Sequence, residues 1–141
     1  MGQRNASQHM KRSILLFCLG VLAACASAPS APTGPVNAQV VLAPGEVTEV
    51  SGAGIRIRFQ GVFGDSRCPA DVVCIQGGDA IVRIDVLPQM GGAVTYDLHT
   101  GNMQPVHHAD LTIALETLEP YPFSSRTIEP GDYRATLRIT R

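Results

Sequence analysis

Imidazole and carboxylate groups gather along one stretch of this chain, where His99, His107 and His108 lie near Asp97 and Asp110, with Met90 and Met103 close by. Imidazole with carboxylate binds Zn²⁺ or Cu²⁺, and a thioether adds a soft ligand suited to Cu⁺. If residues 93–99 and 106–118 form a hairpin across Thr100 to Pro105, Asp97 faces His108 within the ~5 Å Cβ spacing of a cross-strand pair. His99, His108, Asp97 and Asp110 then share an outer face and are the candidate ligands for Zn or Cu. No spacing such as His-x-x-x-His reinforces them, so metal binding is the second reading of the chain. Ser66, His99 and Asp97 also have the residue types of a nucleophile, base and orienting acid. No Gly-x-Ser-x-Gly elbow surrounds Ser66, and the carboxylates are scattered rather than paired, so the chain is read as a non-enzyme that needs no cofactor.

Cys25 points to different chemistry. Lys11 and Arg12 precede an apolar run from Ile14 to Ala24, which closes on Leu22-Ala23-Ala24-Cys25. A membrane-spanning helix needs about 20 apolar residues, more than this run supplies, and small residues before the cysteine suit a processing peptidase. The four residues resemble the lipobox of bacterial lipoproteins. That resemblance implies a diacylglycerol on the Cys25 sulfur, cleavage before Cys25 and acylation of the new amino group. The alternative is an ordinary secretory signal cut around Ala24-Cys25-Ala26. Residues 1–24 are thus read as the signal peptide, with 1–9 a mis-called start because Met10-Lys11-Arg12 is the more usual opening. Residues 25–36, with Pro29, Pro32 and Pro35 among Ala and Ser, form a tether in extended polyproline geometry at roughly 3.1 Å per residue. Ala26 rather than Asp follows the cysteine, and the lipoprotein resemblance then implies the outer membrane where the host has two membranes.

From Cys25 onward the chain carries eight arginines, no lysine and all twelve acidic residues, a side-chain charge of −4. Phosphate-rich partners need clustered cations, so nucleic acid is excluded and the membrane contact falls to the lipid anchor alone.

An exported domain meets an oxidising compartment. Cys18 leaves with the signal and Cys25 is used by lipid, so Cys68 and Cys74 are read as a local disulfide. The bridge closes the loop Asp65-Ser66-Arg67-Cys68-Pro69-Ala70-Asp71-Val72-Val73-Cys74, in which Pro69 stiffens the chain and Arg67 can pair with Asp65 or Asp71. The loop motif Asp65, Ser66, Arg67 and Pro69 has two readings, one structural and one functional. One is a stapled strand connection; the other is a rigid recognition loop with Arg67 exposed as the bait of a protease inhibitor. The segment is similar to small bacterial envelope lipoproteins that carry Asp-Ser-Arg-Cys-Pro, a second cysteine, then Gly and a small residue. The match runs through residues 65–80 at Asp65, Ser66, Arg67, Cys68, Pro69, Cys74, Gly78 and Ala80, and departs at Gln76, where that group has an aromatic residue.

The elements that must position these groups show period-two alternation. Ile55, Ile57 and Phe59 alternate with Arg56, Arg58 and Gln60. Val82, Ile84 and Val86 alternate with Arg83 and Asp85, Leu111, Ile113 and Leu115 with Thr112, Ala114 and Glu116, and Tyr133, Ala135, Leu137 and Ile139 with Arg134, Thr136 and Arg138. Turn chemistry at Pro44-Gly45, Ser51-Gly52, Gly77-Gly78-Asp79, Gly91-Gly92, Thr100-Gly101-Asn102 and Pro130-Gly131-Asp132 separates strands expected near 38–42, 46–51, 54–63, 79–88, 93–99, 108–118 and 132–140. About seven such strands fit an all-β fold, an antiparallel β-sandwich of Ig-like or Greek-key type, with a small β-barrel as the alternative. Residues 37–141 form this one domain, with Phe59, Phe63, Tyr96, Phe123 and Tyr133 as the large core pieces. The expected function is that of a lipid-anchored envelope protein with a binding or structural role and an envelope protein as partner. A periplasmic Zn or Cu binder is the alternative, and a protease inhibitor comes third.

Overall fold

A computed structural model describes residues 34–141. The expected signal peptide, Cys25 and the tether up to Thr33 lie outside the described residues. No helix among the described residues is long and apolar enough to cross a membrane.

The chain forms eight strands, β1 (Asn37–Leu42), β2 (Val47–Val50), β3 (Ile55–Asp65), β4 (Ala80–Pro88), β5 (Val94–His99), β6 (Val106–His108), β7 (Leu111–Glu119) and β8 (Arg134–Thr140). They make two four-stranded antiparallel sheets, ordered β1-β8-β7-β6 and β2-β3-β4-β5. This is the open sandwich expected from the alternation, and not a barrel. The inward residues of both sheets close one core in which Ile57, Phe59, Val82, Ile84, Leu98, Ile113, Leu137 and Ile139 are fully buried. Val36 already belongs to that core, and its carbonyl accepts a hydrogen bond from the Arg141 N–H at 3.0 Å.

Two irregularities in β3 decide what reaches the site. Gln60 and Gly61 together face Arg83, with Gly61 at φ 144°, a conformation open to glycine. One extra residue flips the parity of everything after it. Val62 therefore packs against the core and Phe63 turns outward, 54 % exposed, with the Arg83 guanidinium 4.1 Å from its ring centroid. The expectation that Phe63 fills the core is overturned by this bulge. A second shift between Val62 and Asp65 sets Asp65 opposite the buried Ala80, so its side chain turns in at the end of the sandwich.

The expected strand 108–118 is two strands. Ala109 adopts φ 52° at the tight turn between His108 and Leu111, which folds β6 back on β7. Phe123 is also outside the core, 49 % exposed in the connection from β7 to β8, whereas Phe59 and Tyr133 are buried as expected.

Candidate functional site

The candidate metal ligands are not brought together. β5 pairs with β4, whereas β6 pairs with β7 in the opposite sheet, so residues 100–105 cross between sheets and the expected hairpin of 93–99 with 106–118 does not form. Asp97 faces Arg83 and accepts two of its N–H groups at 2.7 and 2.9 Å, which holds the Asp97 carboxyl below its usual range. His99 Nδ1 meets Asp79 Oδ2 at 2.6 Å, and His108 Nδ1 meets the Tyr96 hydroxyl at 3.1 Å. Asp110 pairs with Arg141 at 2.6 Å. His99, His108, Asp97 and Asp110 thus have four separate partners, and no three His, Cys, Asp or Glu side chains among the described residues converge as a metal site. The paper triad fails in the same way, because the Ser66 hydroxyl is taken up by the backbone of Asp79, donating to its carbonyl at 3.0 Å and accepting from its N–H at 3.1 Å.

The loop motif forms a polar knot at the end of the sandwich where β3 stops and β4 starts. Asp65 accepts from Arg67 Nε at 2.9 Å, Arg67 Nη2 at 2.7 Å and the Arg67 backbone N–H at 3.1 Å. It also accepts from the Tyr133 hydroxyl at 3.0 Å. The same guanidinium donates to the carbonyls of Leu118 at 2.7 Å and Pro120 at 2.9 Å, and lies 5.5 Å from the Tyr121 ring centroid. The Asp65–Arg67 pair thereby ties β3 to the end of β7 through Arg67 and to the start of β8 through Asp65 and Tyr133. Burial opposes ionisation of Asp65, yet the Arg67 and Tyr133 hydrogen bonds outweigh it and hold the carboxyl below its usual range. Burial likewise opposes the Arg67 charge, and Asp65 outweighs it, so the guanidinium stays protonated.

Arg67 is only 8 % exposed, which overturns its placement as an exposed inhibitor bait. Of its two expected partners it takes Asp65. Asp71 instead accepts from the Ser124 N–H at 2.8 Å and the Ser124 hydroxyl at 2.5 Å, and these bonds lower its carboxyl pKa. Gly78 has a steric reason: a Cβ there would lie 1.5 Å from the Ser66 carbonyl oxygen, so only glycine lets the chain pass. Asp79 accepts from the Thr100 hydroxyl at 3.2 Å and the Gly101 N–H at 2.8 Å, extending the knot to the end of β5. Burial opposes the Asp79 carboxylate, and the hydrogen bonds from His99, Gly101 and Thr100 win and lower its pKa.

Above the knot, the Cys68–Cys74 disulfide is formed, with the Cα atoms 6.0 Å apart. The loop it closes is also tied to the β7–β8 connection, through the Ala70 N–H donating to the Pro122 carbonyl at 2.9 Å and through Asp71 and Ser124. Held in this way, the loop turns Val73 and Ile75 fully outward, at 99 % and 104 % exposure, and the neighbouring connection exposes Tyr121 and Phe123. At the same end is an open cleft of about 210 Å³ lined by Asp65, Arg67, Pro122, Arg126, Ile128 and Tyr133. The apolar tip escaped the sequence reading, although Tyr121 and Phe123, each directly after a proline and outside any alternating run, were its signal. No protein family, curated protein or solved structure matches this chain in the comparisons made.

Proposed function

We propose that this chain is an envelope module held to a membrane through acylated Cys25 and binding a partner protein with the tip formed by the stapled loop and the β7–β8 connection. The observation that carries the reading is the full exposure of Val73 and Ile75 on a loop fixed by a disulfide and by hydrogen bonds to its neighbour. Large apolar side chains displayed next to exposed Tyr121 and Phe123 are the composition of a binding patch, and a rigid loop loses little entropy on binding. The position of the N-terminal strand supports it. Gly34 lies beside Gly52, both carbonyls accepting from Arg141 Nη1 at 3.1 and 3.3 Å, next to the turn that opens β3. The tip stands at the far end of that strand, roughly 35 Å away at the rise of an extended chain. A tether joining at Gly34 leaves the tip free to face outward.

Site-specific photo-crosslinking in intact cells tests this. A photoreactive residue at position 73 is expected to give a discrete protein adduct, whereas one at position 41, exposed on the sheet containing β1, gives none. Absence of any adduct from position 73, or equal adducts from both, would remove the tip as the working surface.

A further inference from the structure

The wall of the cleft holds one guanidinium that has no direct partner among the described residues. Asp65 and Arg67 neutralise one another within the knot, and the Arg67 donors are directed to Asp65 and to the carbonyls of Leu118 and Pro120. Arg126, on the same wall, is exposed and makes no ion pair or side-chain hydrogen bond among the described residues. The cleft therefore presents one guanidinium without a direct partner beside Pro122, Ile128 and Tyr133. At about 210 Å³ it is too small for the larger cofactors and suits a single side chain.

We propose that Arg126 and this cleft receive the carboxylate side chain of a Glu or Asp within an apolar segment of the partner, whose flanking apolar residues cover Val73, Ile75 and Phe123. The proposal rests on the reading of the tip as a binding surface and adds the chemistry of what binds. A guanidinium offers a planar fork of donors that matches a carboxylate. The occupant is a protein rather than a bilayer for a reason of charge. Eight basic against twelve acidic side chains give the described residues a net charge of −4, and Asp71 and Glu129 in the loops, Glu119 at the end of β7 and Asp132 just before β8 lie at this end. An anionic bilayer is attracted by clusters of cations near an inserting surface, and Arg126 is not such a cluster.

The test uses the full chain in phosphatidylcholine nanodiscs and the fluorescein-labelled peptide acetyl-Phe-Glu-Leu-Val-amide, followed by anisotropy with empty nanodiscs as blank. Saturable binding is expected, weakened about tenfold when Gln replaces Glu in the peptide and about tenfold again in wild-type-peptide titrations of Arg126→Gln, the loss of one charge-assisted pair. Arg56→Gln, at the opposite end of β3, should leave binding unchanged, and unaltered thermal melts of both variants show that folding is not the cause. Equal binding of the Glu and Gln peptides, no loss in Arg126→Gln, no saturable binding, or stronger attachment to phosphatidylglycerol vesicles than to the peptide would each overturn the proposal. A position-73 adduct that persists while the peptide fails overturns this subsite alone. Loss of both overturns the binding tip itself.

Discussion

Arg67 is the residue on which the site end of the sandwich turns. It is buried, and its removal would leave the Asp65 carboxylate without its cation and the Leu118 and Pro120 carbonyls without the guanidinium donors. Breaking one partner out of a buried pair costs about 3–5 kcal/mol, so Arg67→Met should lower the urea midpoint by the equivalent of roughly that amount. A loss below 1 kcal/mol would mean that water replaces the guanidinium at little cost. Asp65 makes the same point through pH. Its folded pKa lies below the unfolded value near 3.9, so its ionisation stabilises the fold fully above that value and the gain drains away as pH falls through the folded pKa. In thermal melts, the Tm gap between wild type and Asp65→Asn should be constant above about pH 5 and narrow below about pH 4. A gap that widens in acid would contradict the sign. Gly78→Ala places a methyl 1.5 Å from the Ser66 carbonyl oxygen, and relieving that clash requires the backbone to shift. Its Tm should fall further than that of Gly77→Ala, where a Cβ meets nothing within 4 Å.

At the scale of elements, the disulfide loop lies outside the core and is tied to its neighbour by Asp71 and Ser124 as well as by sulfur. Chain-entropy arithmetic for so short a loop gives roughly 2 to 2.5 kcal/mol. Cys68→Ser with Cys74→Ser should therefore keep a single cooperative melt at lower temperature while proteolysis within residues 69–77 speeds up. Global unfolding of that variant would show that the core depends on the staple. The strands and their buried faces were legible because alternation is local: one residue in, the next out. What alternation cannot encode is which sheet a strand joins. β5 and β6 both have the right pattern, and only long-range pairing puts them in different sheets, which is why Asp97 and His108 looked adjacent and are not. Parity also fails at bulges. Gly61 inside a run of β-formers was the available sign that Phe63 would turn outward. The knot was half visible, since Asp65 and Arg67 are near in sequence, whereas Tyr133 and the Leu118 carbonyl are far along the chain and reach Asp65 and Arg67 only through the fold.

For the whole molecule, the described domain has its N-terminal strand beginning at one end and its apolar tip at the other, and the proposed anchor gives that polarity a purpose. A chain fixed at Cys25 through two or more acyl chains is held stably where one chain is not, and its net negative domain adds no attraction to anionic headgroups. Salt should therefore leave membrane attachment unchanged, and a wash at high ionic strength that strips the protein would point to electrostatic binding instead. The proposed attachment at Cys25 goes with export to an oxidising compartment, the setting in which a Cys68–Cys74 pair persists. The direct measurement is intact-mass analysis of the protein from the native membrane, alongside fractionation of Cys25→Ser. The anchored chain should begin at Cys25 and carry diacylglyceryl and acyl groups, and Cys25→Ser should leave the membrane or remain uncleaved. An unmodified Cys25, or normal membrane retention of Cys25→Ser, would contradict the anchor.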